Sequence, residues 1–395
     1  MDFLGGLRVV EVSLLAPNML GMHLAELGAD VIKVEEPVRG DYTRHVGSAS
    51  AGDLSFLHLR WNRGKRSIAL DLRTAAGVAV FRQLVGVSDV VVEGMRPGAL
   101  ERRGLAYRTL AELRPTLVFC ALSGFGQTGP YRDLATHGVA YDAYAGLAPP
   151  EETEDGFPTI PRRYLDVGTQ AGALYAAMAV LAAVIHARAT GRGAYLDVAQ
   201  ADAAAAWSAA GRVDPLLSGL STNRDGPDLQ SSVRYQYYRT ADHRTVLFQA
   251  SERHFFERFC RAVEREDLLT GGGSEFGEHA RGDTGLRREL AAIFATRTQE
   301  EWIALFIDAD VPGSPVHTTR ELLDDPHFRA RAQVSEQDHP QAGALRMLDT
   351  PIRSDRPPSR LRPAPAHGEH TDEVLEELGV AAERIAALRD AGVVA

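Results

Sequence analysis

From Leu7 to Leu122 the chain alternates short β-branched runs with helix-length segments, and that rhythm leaves few folds open. Leu7–Val12 reads LRVVEV, Asp30–Glu35 DVIKVE, Asp89–Glu93 DVVVE and Leu117–Leu122 LVFCAL. Each is apolar on successive residues, as in a strand covered on both faces. Between them lie helical segments, Met19–Leu27 closed by Gly28 and Thr74–Leu84. Strand, helix, strand in that order, with both strand faces buried, predicts a parallel α/β sheet. No glycine-rich GxGxxG turn follows the first strand, which argues against a dinucleotide site of the usual kind.

The stretch Tyr164-Leu165-Asp166-Val167-Gly168-Thr169 leads into a long segment, QAGALYAAMAVLAAVIHARATGRG, apolar on nearly every face. Such a helix is a buried scaffold. His186 and Arg188 near its end, and its Ala-rich make-up, read as a core helix rather than a membrane span. Gly191 and Gly193 end it. Asp166 stands at its start, where a carboxylate suits the unpaired N–H groups and the helix dipole. Two readings stay open at this point. Asp166 is an N-cap, or it is a carboxylate nucleophile or acid/base group above a helix N-terminus.

Arg63, Lys65 and Arg66 place three cations in four residues just before the strand SIALDL. This is a solvated turn or a phosphate clamp. Gly94-Met95-Arg96-Pro97-Gly98 follows a buried strand, at the end where open α/β sheets carry their ligand loops. The net charge of −10 disfavours nucleic acid as a partner, and no membrane association is expected. Cys120 and Cys260 sit in apolar runs and read as buried free thiols. The opening Met1-Asp2-Phe3-Leu4-Gly5-Gly6 lacks a basic start and an apolar core, so a cytoplasmic protein is expected.

His137 to Gly146 reads as a helix, Tyr195–Val198 as a strand and Gln200–Arg212 as an Ala-rich helix. Residues 1–213 are then the first part of a large domain, and 214–229, rich in Gly, Asp, Asn and Ser, a linker. A small α+β domain over 230–330 opens with a hairpin, Val233–Thr240 and Thr245–Ala250. Helices at Arg253–Arg265, Leu286–Ala295 and Gln299–Ala309 follow, and Val311–Val316 (VPGSPV) reads as a connection. Gly271-Gly272-Gly273 reads as flexible chain. Residues 331–395 return through the Pro-rich SDRPPSRLRPAPAHGEH to two closing helices that rejoin the large domain.

The ordered set LRVVEV, LAELGADVIKVE, GDYTR, NRGKRSIALDL, VVEGMRPGALERRGL, RPTLVFCALSGFGQTGPYRD, ARATGRGAYLDVAQADA, YRTADHRTVLF and AHGEHTDEVLEELG resembles the class III CoA-transferases, the CaiB/BaiF family that includes formyl-CoA transferases and α-methylacyl-CoA racemases. The likeness spans nearly the whole chain. It implies a large Rossmann-like parallel-sheet domain with a smaller α+β domain. It also implies an interlocked homodimer whose active site lies where the large domain of one subunit faces the small domain of the other. Coenzyme A is then a substrate, as acyl-CoA, alongside a carboxylic acid, and no metal is expected. The resemblance assigns CoA contacts to Ala16 and Pro17 after the first strand, to Asn62, Arg63, Gly64 and Lys65, to Gly94, Met95 and Arg96, and to Arg102 near the phosphates. Glu36 stands where some transferases carry an arginine near the adenine.

In these transferases an aspartate attacks the acyl-CoA thioester, and the resemblance points to Asp166. Counted back from Thr190-Gly191-Arg192-Gly193, the family position falls instead on Thr169, three residues on, and a threonine cannot form the anhydride. His137 falls where racemases carry a catalytic histidine, and Glu252 near their supporting glutamate. His137 with Asp166 would flank an α-carbon as an acid/base pair. His137 as a helix cap and Glu252 as a surface residue are the structural alternatives. The sequence therefore favours a CoA-transferase, with a racemase-type epimerase second and an acyl-CoA-binding homologue without transferase chemistry third.

Overall fold

The computed structural model describes residues 2–220, 229–269, 277–357 and 361–395. The chain divides into two compact units, residues 1–213 with 333–395, and residues 214–332.

The first unit holds β1 (Arg8–Ser13), α1 (Asn18–Glu26), β2 (Asp30–Glu35), β3 (Arg66–Ala69), α2 (Ala75–Gly86), β4 (Val90–Gly94), β5 (Val118–Ser123), α3 (Val139–Tyr144), α4 (Val167–Thr190), β6 (Ala194–Ala199) and α5 (Gln200–Trp207). The strands form one parallel sheet in the order β6-β5-β4-β1-β2-β3. The chain winds outward from β1 to one edge and then returns past it to the other. Loops at the C-terminal ends of β1 and β4 therefore diverge and leave a crevice between them.

Alternate residues of each strand feed different cores. Val10, Val12, Ile32 and Phe119 pack with Phe81 and Leu84 of α2 and with Val374, Leu375, Ile385 and Leu388 near the C-terminus. Val9, Val90, Val92, Val118 and Cys120 pack with Leu20 and Leu24 of α1 and with Ala176, Val180, Val184 and Ala187 of α4. This is why the strands are apolar at consecutive positions. The C-terminal return closes the β3 edge: His370 N donates to Ser67 O at 2.8 Å and Leu70 bridges Val394. Cys120 and Cys260 are free and buried.

α4 is the scaffold its sequence predicts, running from an Asp166 N-cap to Gly191. Leu174, Met178 and Ile185 nonetheless leave an exposed apolar stripe along it. The Ala-rich segment after β6 is shorter than expected: α5 ends at Trp207, and a π-turn occupies Ala209–Val213.

The second unit packs β7 (Tyr235–Arg239), β8 (Thr245–Gln249) and β9 (Gly313–Val316) into an antiparallel sheet. Its core is aromatic, with Tyr238, Phe248, Phe259, Phe294, Trp302 and Phe306 buried together. VPGSPV is thus a strand rather than a connection. It lies at the sheet edge, where Pro315 opposite Val246 needs no outward N–H partner. Residues 214–229, expected as a linker, open on a helix at Asp214–Leu217. Residues 221–228 and Gly271-Gly272-Gly273 lie outside the described residues.

Candidate active site

The C-terminal ends of β1, β4 and β5 surround a cavity of about 460 Å³ in the first unit. Leu14 to Pro17 form one wall, Gly94 to Pro97 another, and Ser123 to Phe125 with Gln200 a third. Arg102, Arg103, Arg132, His137 and Tyr141 complete it. A second cavity, of about 770 Å³, shares Leu14, Tyr42, Met95, Ala99 and Arg103 with the first and continues past Glu36 and Arg39 to Leu70–Arg73. Together they make a long crevice. Arg96, Arg102, Arg103 and Arg132 line its first part with no carboxylate among them, a charge that suits a polyanion. Arg39, Arg73 and Arg103 share the second part with Glu35, Glu36 and Asp71.

The loop after β1 is held in a demanding conformation. Leu15 has φ of +56°, and its N–H donates to Thr43 Oγ1 at 2.9 Å. Beneath it lies a buried ion network. Lys33 Nζ meets Asp41 at 2.8 Å and donates to Asn18 Oδ1 at 2.6 Å, and Asn18 Nδ2 donates to Asp41 at 2.7 Å. On the facing side, a Cβ on Gly94 would come within 2.4 Å of Pro17 Cβ, so only glycine lets β4 end against this loop.

Of the positions expected to touch CoA, the structure brings Ala16, Pro17, Gly94, Met95, Arg96 and Arg102 to the cavity, with His137 beside them. Asn62, Arg63, Gly64 and Lys65 are not there, and the phosphate-clamp reading is corrected. The Asn62, Arg63 and Lys65 side chains are fully buried. Lys65 Nζ donates to both oxygens of Glu11, at 2.9 and 2.8 Å, to Asn18 O at 2.8 Å and to Asn62 Oδ1 at 3.0 Å. Burial, against the pull of Glu11, lowers its pKa to about 8. Arg63 pairs with Glu26 at 2.7 Å and Asp349 at 3.0 Å, and Gly64 N donates to Arg362 O at 2.8 Å. The basic segment supports the β1 loop from inside. Arg73, an exposed cation near Glu36, donates to Glu36 Oε1 at 2.9 Å and to Asp71 at 2.8 Å.

Asp166 is half-buried at the start of α4. Its Oδ1 accepts from Thr169 N at 3.4 Å and from Tyr164 OH at 3.4 Å, and its Oδ2 accepts from the Thr169 hydroxyl. The two positions left open by the register are therefore bonded to each other: the Asp166 carboxylate folds back over Thr169. Tyr164 OH also donates to Asp142 Oδ2 at 2.8 Å, and Gly168 N donates to Asp142 Oδ1 at 2.9 Å. Burial raises the Asp142 pKa, and the neighbouring Asp166 charge adds to this, against the bonds from Tyr164 and Gly168. Burial and the Asp142 bond raise that of Tyr164.

Sequence reasoning missed Asp142, Tyr164, Ser123 and Gln200. The available signal was polarity at the C-terminal tip of an apolar strand, as in VFCALS and YLDVAQ. Glu252 belongs to the second unit, at the N-cap position of the helix Arg253–Ala262, without capping it; its Oε2 accepts from Ser251 Oγ at 3.0 Å. Among the described residues no group of three or more His, Cys, Asp or Glu side chains could hold a metal ion.

A doubly wound parallel sheet with a cation-lined crevice across its carboxyl edge is the frame of an enzyme that binds a large anionic substrate. The chain belongs to CoA-transferase family III, whose sequence profile matches residues 4–371. It is 33% identical to the succinate–glutarate CoA-transferase of Agrobacterium fabrum, over 95% of each chain. It is 32% identical to the succinyl-CoA–D-citramalate CoA-transferase of Chloroflexus aurantiacus, over 95% of this chain and 94% of that one. A CaiB/BaiF family protein from Brucella suis has the same fold, with a TM-score of 0.74 and 29% identity over 95% of this chain and 98% of that one.

Proposed function

We propose that this protein moves CoA from a short acyl-CoA, such as succinyl-CoA, to a free carboxylic acid, with Asp166 as the nucleophile. The observation that carries the reading is the Asp166 carboxylate at the mouth of α4, next to Gly168, which packs against Tyr141 and Gln200 of the cavity wall. The family and the named relatives support CoA transfer.

An Asp166 oxygen attacks the thioester carbon, the carbon–sulfur bond breaks, and CoA leaves as thiolate from an acyl–aspartyl anhydride. The thiolate attacks the aspartyl carbonyl, releasing the donor acid and leaving an aspartyl–CoA thioester. The acceptor carboxylate attacks that carbonyl, expelling the thiolate, which then takes the acceptor acyl group and frees Asp166. Each step exchanges one activated acyl bond for another, so no further energy source is needed. Thr169 releases its bond to the carboxylate for attack, and Tyr164, held by Asp142, steadies it. CoA would follow the crevice, with Arg96, Arg102 and Arg103 toward its phosphates. The exposed Leu174, Met178 and Ile185 on α4 support a homodimer that covers them.

The test is incubation with succinyl-CoA and glutarate or citramalate, reading new acyl-CoA by mass. Asp166→Asn should lower kcat at least about 10³-fold, and hydroxylamine under turnover should convert Asp166 to a hydroxamate. Turnover without any trapped Asp166 would refute the anhydride route. His137 in the cavity wall keeps the racemase reading alive; α-deuterium gained by a single-epimer 2-methylacyl-CoA in heavy water, and lost in His137→Ala, would establish it.

A further inference from the structure

A single turn of 3₁₀ helix, Tyr42–Arg44, stands against the crevice and presents one side chain to it. Tyr42 lines both cavities and is 41% exposed, whereas Thr43 and Arg44 are buried and line neither. The turn is fixed from behind. Arg44 donates to Glu35 at 2.6 and 3.1 Å and to Pro365 O at 2.9 Å. Asp41 caps the turn, accepting from Thr43 N at 2.8 Å, and Asp41 N donates to Glu35 Oε2 at 2.9 Å.

The Thr43 hydroxyl is turned to the loop after β1. It donates to Asp41 Oδ1 at 2.6 Å. Burial works to raise the Asp41 pKa, but Lys33 at 2.8 Å and the bonds from Thr43 and Asn18 hold it below the usual carboxylate range. Asp41 is therefore ionised and can only accept, so the one Thr43 hydroxyl proton is committed to it. The Thr43 oxygen is left to accept. It takes the Leu15 N–H at 2.9 Å and, at 3.4 Å, Asn18 Nδ2. Leu15 is the residue with φ of +56°, a conformation that costs a leucine free energy and persists only where the surroundings impose it. Asn18 N donates to Leu15 O at 2.9 Å and fixes the carbonyl side of that residue. Thr43 fixes the amide side.

The loop so held is a wall of the crevice. Leu14 lines both cavities, and Leu15, Ala16 and Pro17 line the first. A Leu15 that relaxed to negative φ would turn its peptide link to Ala16 and carry Ala16 and Pro17 out of their places against Gly94. A wall already set in the bound shape raises affinity, because the ligand need not order it. We propose that Thr43 is a positioning residue for acyl-CoA: its hydroxyl, aimed by Asp41, holds the Leu14–Pro17 loop in the shape that receives the ligand, although Thr43 itself lies outside the crevice wall. This rests on the reading of the crevice as the CoA site.

Calorimetric titration with CoA tests it, in the full-length wild-type protein and in Thr43→Val and Thr43→Ser. Valine keeps the shape and removes the acceptor; serine keeps the acceptor and removes a methyl group. The Kd for CoA should rise about tenfold in Thr43→Val, the worth of one buried hydrogen bond, and stay within about twofold of wild type in Thr43→Ser. Partial unfolding lowers the binding stoichiometry and leaves Kd as it is, so a merely structural threonine would move the first quantity and not the second. If Thr43→Val yields no folded protein, Thr43→Ala makes the same measurement with a smaller side chain. An unchanged Kd once the hydroxyl is removed overturns the inference. So does an equal rise in Kd with and without the hydroxyl, because methyl packing then shapes the loop. If the wild type does not bind CoA, the reading of the crevice fails and takes this one with it; wild-type binding that survives loss of the hydroxyl sinks the positioning role alone.

Discussion

Replacing Glu93 by glutamine should reverse part of the pH dependence of this fold. Glu93 lies at the end of β4, 6% exposed, paired with Val12 and Ala121 on either side. Its Oε1 accepts from Leu100 N at 3.0 Å and so closes the loop that carries Met95, Arg96 and Pro97. Burial, against the Leu100 bond and the charges of Arg102 and Arg103, pushes its pKa up to about 7 from 4.5. The folded protein therefore holds this proton where the unfolded chain has lost it. The penalty of ionising Glu93 is absent below pH 4.5, grows as pH rises toward 7, and is complete above 7. At about 1.4 kcal/mol per unit, it reaches about 3 kcal/mol. Glutamine keeps the acceptor for Leu100 and cannot ionise. Its amide nitrogen adds a pH-independent cost of about 1 kcal/mol, so the diagnostic quantity is the swing. From pH 4.5 to 8 the stability of Glu93→Gln relative to wild type should rise by about 3 kcal/mol, with the variant less stable at the acid end and more stable at the alkaline end. Urea unfolding of both proteins at each pH, followed by circular dichroism, gives the difference directly, because all other titrating groups are common to the two. Parallel stability profiles would refute the assignment.

Lys65→Met should cost about 3 kcal/mol or more of stability, since Glu11 loses its closest counter-charge inside the core; a folded variant of unchanged urea midpoint but raised KM for acyl-CoA would restore the phosphate-clamp reading. Arg102→Ala should behave oppositely, with the urea midpoint preserved and the KM for acyl-CoA raised about tenfold, a loss that shrinks as salt screens the remaining contact. Steady-state kinetics at two ionic strengths checks it, and a KM unmoved at both refutes it.

The sequence by itself determined the sheet. Consecutive apolar residues in LRVVEV, DVIKVE and DVVVE have one stable use, as strands covered on both faces, and the helices between them make the connections parallel. The same local logic found the loops after β1 and β4 and the core role of α4, because strand ends and helix faces are short-range properties. It failed where the deciding partner lies far along the chain. Asn62 to Lys65 has the charge of a phosphate clamp, but its meaning is set by Glu11, 54 positions from Lys65. A buried carboxylate turned those cations inward, because a buried charge must be paired. Asp166 and Thr169 looked like rival positions in a linear register, yet one turn of helix stacks them into a single bonded pair. The stretch YLDVGT thus told that a carboxylate begins α4. Only the folded chain brought Asp142 to Tyr164 beside it, and left Ser123 Oγ and Gln200 Oε1, among the described residues, buried without partners in the cavity wall. Asp142 and Tyr164 are 22 positions apart, and Ser123 and Gln200 reach one cavity wall because a parallel sheet gathers its strand ends at one edge.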